Sequence, residues 1–359
     1  MTSMTLPADH PLRNGRTADS ALLTAMNGRR PARRPIWFMR QAGRSLPEYR
    51  ELRAGMAMLD ACLTPELATE ITLQPVRRHG VDAAVFFSDI VIPLKLAGIE
   101  VDIVPGKGPV LADPIRTAEQ IAALPPLDPA ALAPISQAVS DTAAALGRTP
   151  LIGFAGAPFT LASYLVEGGP SRDHLRTKAL MCGDPELWST LASWVAGVTG
   201  QFLRAQILAG ASAVQLFDSW AGNLSLAQYL AGAAPFSARV FDAVSDLPVP
   251  RVHFGVGTGE LLTAMREVGA TVIGVDHRIP LDVASQRLGG SIPLQGNIDP
   301  ALLFAGDEVL HRHTLEVLAA GSHAPGHVVN LGHGVPPDAD PEVLTRLVEF
   351  VHGQADPLP

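Results

Sequence analysis

Arg40 and Arg44 stand four residues apart in the run Trp37-Phe38-Met39-Arg40-Gln41-Ala42-Gly43-Arg44-Ser45-Leu46. A guanidinium is planar, stays charged at physiological pH, and can present two parallel N–H donors to both oxygens of a carboxylate. The run therefore suggests one wall of a pocket for an acidic ligand, although surface ion pairs on a helix are a second reading of the same spacing. Asp89 is the counterpart of opposite sign. It closes Phe86-Phe87-Ser88-Asp89 and is followed by Ile90-Val91-Ile92-Pro93, which sets one carboxylate in apolar surroundings. Such a residue caps a helix or pairs with an arginine, or else its charge faces a developing cation or ligand N–H groups, magnified by the low dielectric.

Other polar residues end apolar runs in the same way. His333 sits in Asn330-Leu331-Gly332-His333-Gly334, where flanking glycines leave the ring accessible, as a structural hydrogen-bonder or a catalyst. Tyr164 falls early in a helical segment that follows Gly156-Ala157-Pro158. Tyrosines so placed pack an apolar body and bond through the hydroxyl. Ser219 follows Asp218 without a neighbouring base, so it suits hydrogen bonding to a ligand carboxylate better than nucleophilic attack. His253 and His277 have similar positions with weaker flanks, and His311 and His313 read as a solvated helix face. Gly255-Val256-Gly257-Thr258-Gly259 lacks the last glycine of a dinucleotide fingerprint and reads as a tight turn with at most weak anion contact.

Elements able to position these residues recur along the chain. Eight short apolar runs bounded by Gly, Pro or Asp read as buried parallel strands: residues 35–40, 82–88, 151–156, 213–219, 251–255, 271–276, 292–297 and 327–333. Helical patterning lies between them, over residues 65–79, 185–209, 259–268 and 341–351 among others. Eight alternating units predict a single (β/α)₈ barrel, whose reactive groups belong at the C-terminal ends of the strands. An open doubly wound sheet is the weaker alternative, because no Gly-x-Gly-x-x-Gly follows the first strand. Residues 101–110 alternate around a Pro-Gly turn and predict an inserted hairpin, and residues 111–150 read as connecting helices.

Composition narrows the classes of function. With 359 residues, 47% hydrophobic and a net charge of −8, the chain can bury a large core and lacks the basic balance of a nucleic-acid binder. Arg greatly outnumbers Lys, which occurs only at positions 95, 107 and 178, so the positions of arginines carry information that their number does not. Cys62 and Cys182 lie far apart, which fits a reducing, cytoplasmic setting and supplies neither a disulfide framework nor a thiolate metal site. No apolar run is long enough to span a bilayer. Residues 1–20 read as a flexible N-terminal extension, 21–352 as the catalytic barrel and 353–359 as a tail.

Seven segments, in their order along the chain, resemble the uroporphyrinogen decarboxylase family: residues 35–44, 87–90, 104–109, 153–169, 215–219, 294–300 and 330–334. The resemblance runs from about residue 21 to about residue 352. It implies a (β/α)₈ barrel, a homodimer, no metal and no organic cofactor, and removal of carbon dioxide from the four acetate side chains of uroporphyrinogen III to give coproporphyrinogen III. The substrate contacts it implies are Arg40, Gln41, Ala42, Gly43, Arg44, Asp89, Tyr164, Ser219 and His333, with Arg53 a further arginine of the set. Asp89 and Arg40 are the implied catalytic residues. The chain departs from the family pattern at Ser45, often Tyr in relatives, and at Pro170, commonly Gly. Zinc-dependent thiol methyltransferases share a related barrel but need a thiolate-rich metal site, and here no Cys follows Cys182. A non-catalytic tetrapyrrole carrier is the remaining alternative.

Overall fold

The computed structural model describes residues 5–354. Its centre is a parallel seven-stranded sheet ordered β1-β4-β5-β6-β7-β8-β9. The strands are β1 (Ala84–Val85), β4 (Leu151–Gly156), β5 (Ala213–Asp218), β6 (Arg251–Gly255), β7 (Val272–Gly274), β8 (Leu294–Gln295) and β9 (His327–Val328). The remaining pair, β2 (Val101–Val104) and β3 (Gly108–Leu111), forms the expected antiparallel hairpin, with Val104 opposite Gly108. All six residues of β4 are buried, as a parallel strand covered on both faces requires.

The eighth stave closes the ring without forming a regular strand. Ile36 bridges Val329 in parallel on one side, and its carbonyl accepts from Asp82 N at 2.9 Å on the other. Trp37 N donates to Val329 O (3.3 Å), and three further amides of the stave turn to side chains. Ile36 N donates to Asp82 Oδ2 (2.8 Å), Phe38 N to Gln41 Oε1 (3.0 Å) and Met39 N to Asn330 Oδ1 (3.1 Å). A buried amide needs a partner but not a backbone partner, so the predicted strand over 35–40 survives as a stave tied by side chains. Inside the ring, Trp37 Nε1 donates to Gln295 Oε1 (3.2 Å) and Gln295 Nε2 to Gln215 Oε1 (2.9 Å), which fixes this stave against two others.

Helices cover the outside and carry their own boundary signals. Pro158–Glu167 starts with proline at its first turn, where no amide is needed, and ends at Gly168 in the left-handed conformation. Pro185–Ala209 is capped by Asp184 and Pro341–His352 by Asp340. The hairpin and the segment after it dock on the first of these helices, through Leu111 N to Gly168 O (3.0 Å) and Ile115 N to Leu165 O (2.8 Å) respectively.

Residues 5–20 differ from the expected flexible extension. Leu6, His10 and Thr17 are buried; His10 Nε2 donates to Ile207 O (3.0 Å), and Thr17 Oγ1 hydrogen-bonds Ser212 Oγ (2.9 Å). The segment is held by contacts almost 200 residues away in sequence, which local polarity does not reveal. Residues 1–4, and 355–359 of the expected tail, lie outside the described residues. Among the described residues no helix is long and apolar enough to cross a membrane.

At the opposite end of the barrel from the strands' C-termini, Asp82 joins three segments. Beyond Ile36 N, its carboxylate accepts from His352 Nε2 (2.7 Å) on the last helix and from Arg33 (2.5 Å). Asp82→Ala removes a buried charged acceptor and leaves these donors unmatched, so it should destabilise the fold by about 3 kcal/mol. Urea unfolding of the variant beside the wild type measures this; equal midpoints would show that the latch is dispensable.

Candidate active site

The residues singled out at strand ends fall at or just beyond one rim, except His253, which lies in the middle of β6. Gly156 lies level with Phe217, and Asp218 with Gly255, so the ends of β4, β5 and β6 are in step. Asp89 follows β1, and Gly332 and His333 follow β9.

Arg40 has φ of 61°, in the left-handed region that a non-glycine residue occupies at a cost of about 1 to 3 kcal/mol. Its side chain is exposed and lies across Gly334: a Cβ on that glycine would sit 2.5 Å from Arg40 Cδ. Gly334→Ala should therefore push Arg40 aside and lower kcat/KM by about tenfold or more, while kinetics equal to wild type would show that the arginine finds another path. Among the described residues, none of the ion pairs involves Arg40, Arg44, Arg50 or Arg53. This disfavours the surface ion-pair reading. Four guanidinium groups without protein carboxylates are available to an acidic ligand.

Asp89 answers them from the next stave. Its Oδ1 accepts from Val91 N at 3.0 Å. Burial pushes its carboxyl above the usual carboxylate range, against the opposing pull of that amide and of the Arg40 charge. Tyr164 belongs to the same neighbourhood: burial first, then the Asp89 charge, raise its hydroxyl, while Arg40 lowers it. His333 is held below its ordinary value by burial and next by Arg40, with His277 and Arg278 adding smaller contributions. Arg40, Asp89, Tyr164 and His333 thus share one electrostatic environment although they come from four parts of the chain.

The other residues of the implied set divide. Arg44, Tyr49, Arg50, Arg53, Ala54 and Pro337 line an open groove of about 450 Å³. Tyr49 connects this groove to the pocket, since its hydroxyl feels Arg53, Arg44 and Asp89, and its ring meets Phe87 edge-on at 5.7 Å. Ala42 and Gly43 are half-buried in the turn after Arg40, and Ser45 is buried. Gln41 is fully buried, with its amide engaged to Phe38 N and Ala83 O. Ser219 is half-buried at the end of β5, and the next residue, Trp220, stacks on Tyr164 with ring centroids 4.2 Å apart.

Several strand-end residues turn elsewhere. Asp218 and His253 are fully buried; Asp218 accepts from Thr160 Oγ1 (2.9 Å), and His253 Nδ1 donates to Met265 O (3.2 Å), so both serve the contact with the helix layer. Asp276 takes Gly257 N at 2.6 Å and pairs with Arg278. The glycine turn thus holds an anion, but the anion is the protein's own carboxylate. His277 stays beside His333. His311 does not lie on a solvated face: its ring stacks on Phe350 with centroids 3.8 Å apart, while His313 Nε2 accepts from Asp299 N at 3.4 Å. His174 was not foreseen. Fully buried, it packs against Trp220 with ring centroids 4.5 Å apart and planes tilted by 35°, and no local pattern distinguishes it.

A parallel barrel with arginines outside any ion pair, a half-buried carboxylate, a tyrosine and a histidine gathered at its C-terminal rim has the layout of a (β/α)₈ enzyme. The chain belongs to the uroporphyrinogen decarboxylase family, whose model matches residues 17–354. A uroporphyrinogen decarboxylase of Arthrobacter sp. (strain FB24) is 68% identical, over 94% of this chain and 98% of its own. One of Leifsonia xyli subsp. xyli (strain CTCB07) is 60% identical, over 97% of this chain and 98% of its own. Among solved structures, a methyltransferase from Methanosarcina mazei superposes with a TM-score of 0.78 at 18% identity, covering 93% of this chain and 98% of that one. That likeness shows the shared fold and nothing of the chemistry.

Proposed function

We propose that this chain is a uroporphyrinogen decarboxylase, which removes the carboxyl groups of the four acetate side chains of uroporphyrinogen III and yields coproporphyrinogen III for porphyrin and haem biosynthesis. Membership of the family and the names of relatives above 60% identity support the reaction. The observation that carries the reading is a half-buried Asp89 that feels the charge of Arg40, an arginine in no ion pair among the described residues.

The substrate has eight carboxylates around a flexible ring of four pyrroles, whose N–H groups can converge on one acceptor. In the proposed mechanism Asp89 is that acceptor. Loss of carbon dioxide from a pyrrole acetate leaves an electron pair that needs a sink. Protonation of the pyrrole ring supplies one, and the resulting cation is stabilised by the fixed carboxylate of Asp89. After carbon dioxide leaves, protonation of the former acetate carbon and loss of the proton first placed on the ring complete the methyl group and restore the pyrrole, so that one proton is consumed for each carboxylate lost. Arg40 and Arg44 bind substrate carboxylates and orient the acetate to be lost. Arg53 meets carboxylates farther out along the groove, and Tyr164, Ser219 and His333 bind acetate or propionate groups. Ala42, Gly43 and Gln41 form the turn beneath Arg40. An arginine is a poor acid, so Arg40 is assigned as a binder that also shields proton delivery from water. The family resemblance further supports a homodimer in the cytoplasm that needs no metal or organic cofactor.

Anaerobic incubation with reduced uroporphyrinogen III, followed by chromatography of the oxidised porphyrins, tests the reading. The expected series descends from eight carboxyls to four. Stoichiometric binding of an unchanged octacarboxylate would instead identify a carrier.

A further inference from the structure

We propose that Gln41 is a positioning residue, which holds Arg40 in its left-handed conformation and ties its stave to the one that carries Asp89. The inference rests on the reading of Arg40 as a binder of substrate carboxylates. It replaces a direct role for Gln41 in substrate contact.

Gln41 is fully buried, so no substrate reaches its side chain in this structure. Its Oε1 accepts from Phe38 N (3.0 Å), and its backbone N donates to Phe38 O (3.1 Å). The side chain and backbone of one residue thereby close the turn from Phe38 to Gln41 at both polar groups of Phe38, with Arg40 inside the turn at φ of 61°. Its Nε2 donates to Ala83 O (3.0 Å), one residue before β1, whose continuation leads to Asp89. The opposite side of the turn is clamped as well. Met39 N donates to Asn330 Oδ1 (3.1 Å) and Met39 O accepts from Val335 N (2.8 Å), on the stretch that carries His333. A sparsely populated conformation persists only where its surroundings over-determine it, and these bonds surround Arg40 on both sides. One amide group thus sets the spacing of the two charges on which the proposed chemistry depends, since misplacing a binding group by an ångström suffices to lose rate.

Gln41→Met keeps the volume and removes both side-chain bonds. In the otherwise native chain it should lower kcat/KM by about tenfold or more, whereas in an Arg40→Ala background the same change should cost less than about twofold. Equal losses in the two backgrounds would overturn the proposal, because a residue that merely supports the fold acts whether or not Arg40 is present. Crystal structures give a readout independent of turnover: φ of Arg40 is expected to leave the left-handed region in Gln41→Met, and an unmoved Arg40 would contradict the role. If Gln41→Met does not fold, Gln41→Asn, which shortens the reach to Ala83, is read in the same two ways. A wild-type chain that leaves uroporphyrinogen unchanged would refute the functional reading, and the position of Arg40 in the variant would still decide this one.

Discussion

Asp89→Asn should lower turnover by at least about two orders of magnitude while the fold loses no stability at neutral pH. The first part follows from charge. An amide of the same shape can still receive Val91 N, but it offers a pyrrole cation a dipole in place of a full negative charge, in surroundings where water does little to compensate. The second part follows from linkage. Burial raises the folded carboxyl above its unfolded value, so the folded chain holds this proton more tightly than the unfolded chain does. The associated stability is present below the unfolded value and is lost as pH rises through the folded one. Wherever the carboxyl is ionised its burial is therefore a burden on the fold, and asparagine relieves it. Steady-state turnover and thermal melts of the same preparation check both parts. Near-normal release of carbon dioxide would refute the charge role, and a large fall in melting temperature would show that Asp89 serves structure first.

Arg40→Ala should weaken substrate capture by about 2 to 5 kcal/mol, the range for truncating one partner of a buried charge pair, which the exposed guanidinium becomes when the substrate covers it. The loss should appear mainly in KM. Arg40 is in no ion pair among the described residues, so its removal chiefly deprives the ligand, although Asp89, Tyr164 and His333 also lose its charge. Arg40→Lys should recover little, since an ammonium cannot present the two parallel donors of a guanidinium. Unchanged kcat and KM in the alanine variant would mark Arg40 as a surface residue.

The barrel was legible where a run of apolar residues had to be buried on both faces, as in β4, β5 and β6. It was less so at the stave over residues 35–40, three of whose amides are satisfied by the side chains of Asp82, Gln41 and Asn330. The last of these lies 291 residues from its partner Met39 in the chain, and no local pattern encodes such a bond. The rim was legible for the same reason as the strands. A polar residue closing an apolar run has to emerge at the strand's end, which located Asp89, Arg40 and His333. Whether an emerging side chain turns into the mouth or into the helix layer depends on the neighbouring strand and helix, so His253 and Asp218 were placed at the rim but face away from it. Trp220 and His174 complete a stack with Tyr164 through contacts between separate segments. His311 has an ordinary helical spacing, and its burial is decided by Phe350 on another helix. Gln41 shows the limit most clearly, because its position inside a ligand-binding motif suggests contact with the ligand while its burial assigns it to the frame.

The most direct measurement is the yield of carbon dioxide per tetrapyrrole consumed, taken anaerobically with carboxyl-labelled uroporphyrinogen III for the wild type beside Asp89→Asn. Four equivalents from the wild type, with only slow release from the variant, are the predicted result. No release from the wild type, or equal rates from the two proteins, would contradict the assignment of this barrel mouth as a decarboxylase built around Asp89.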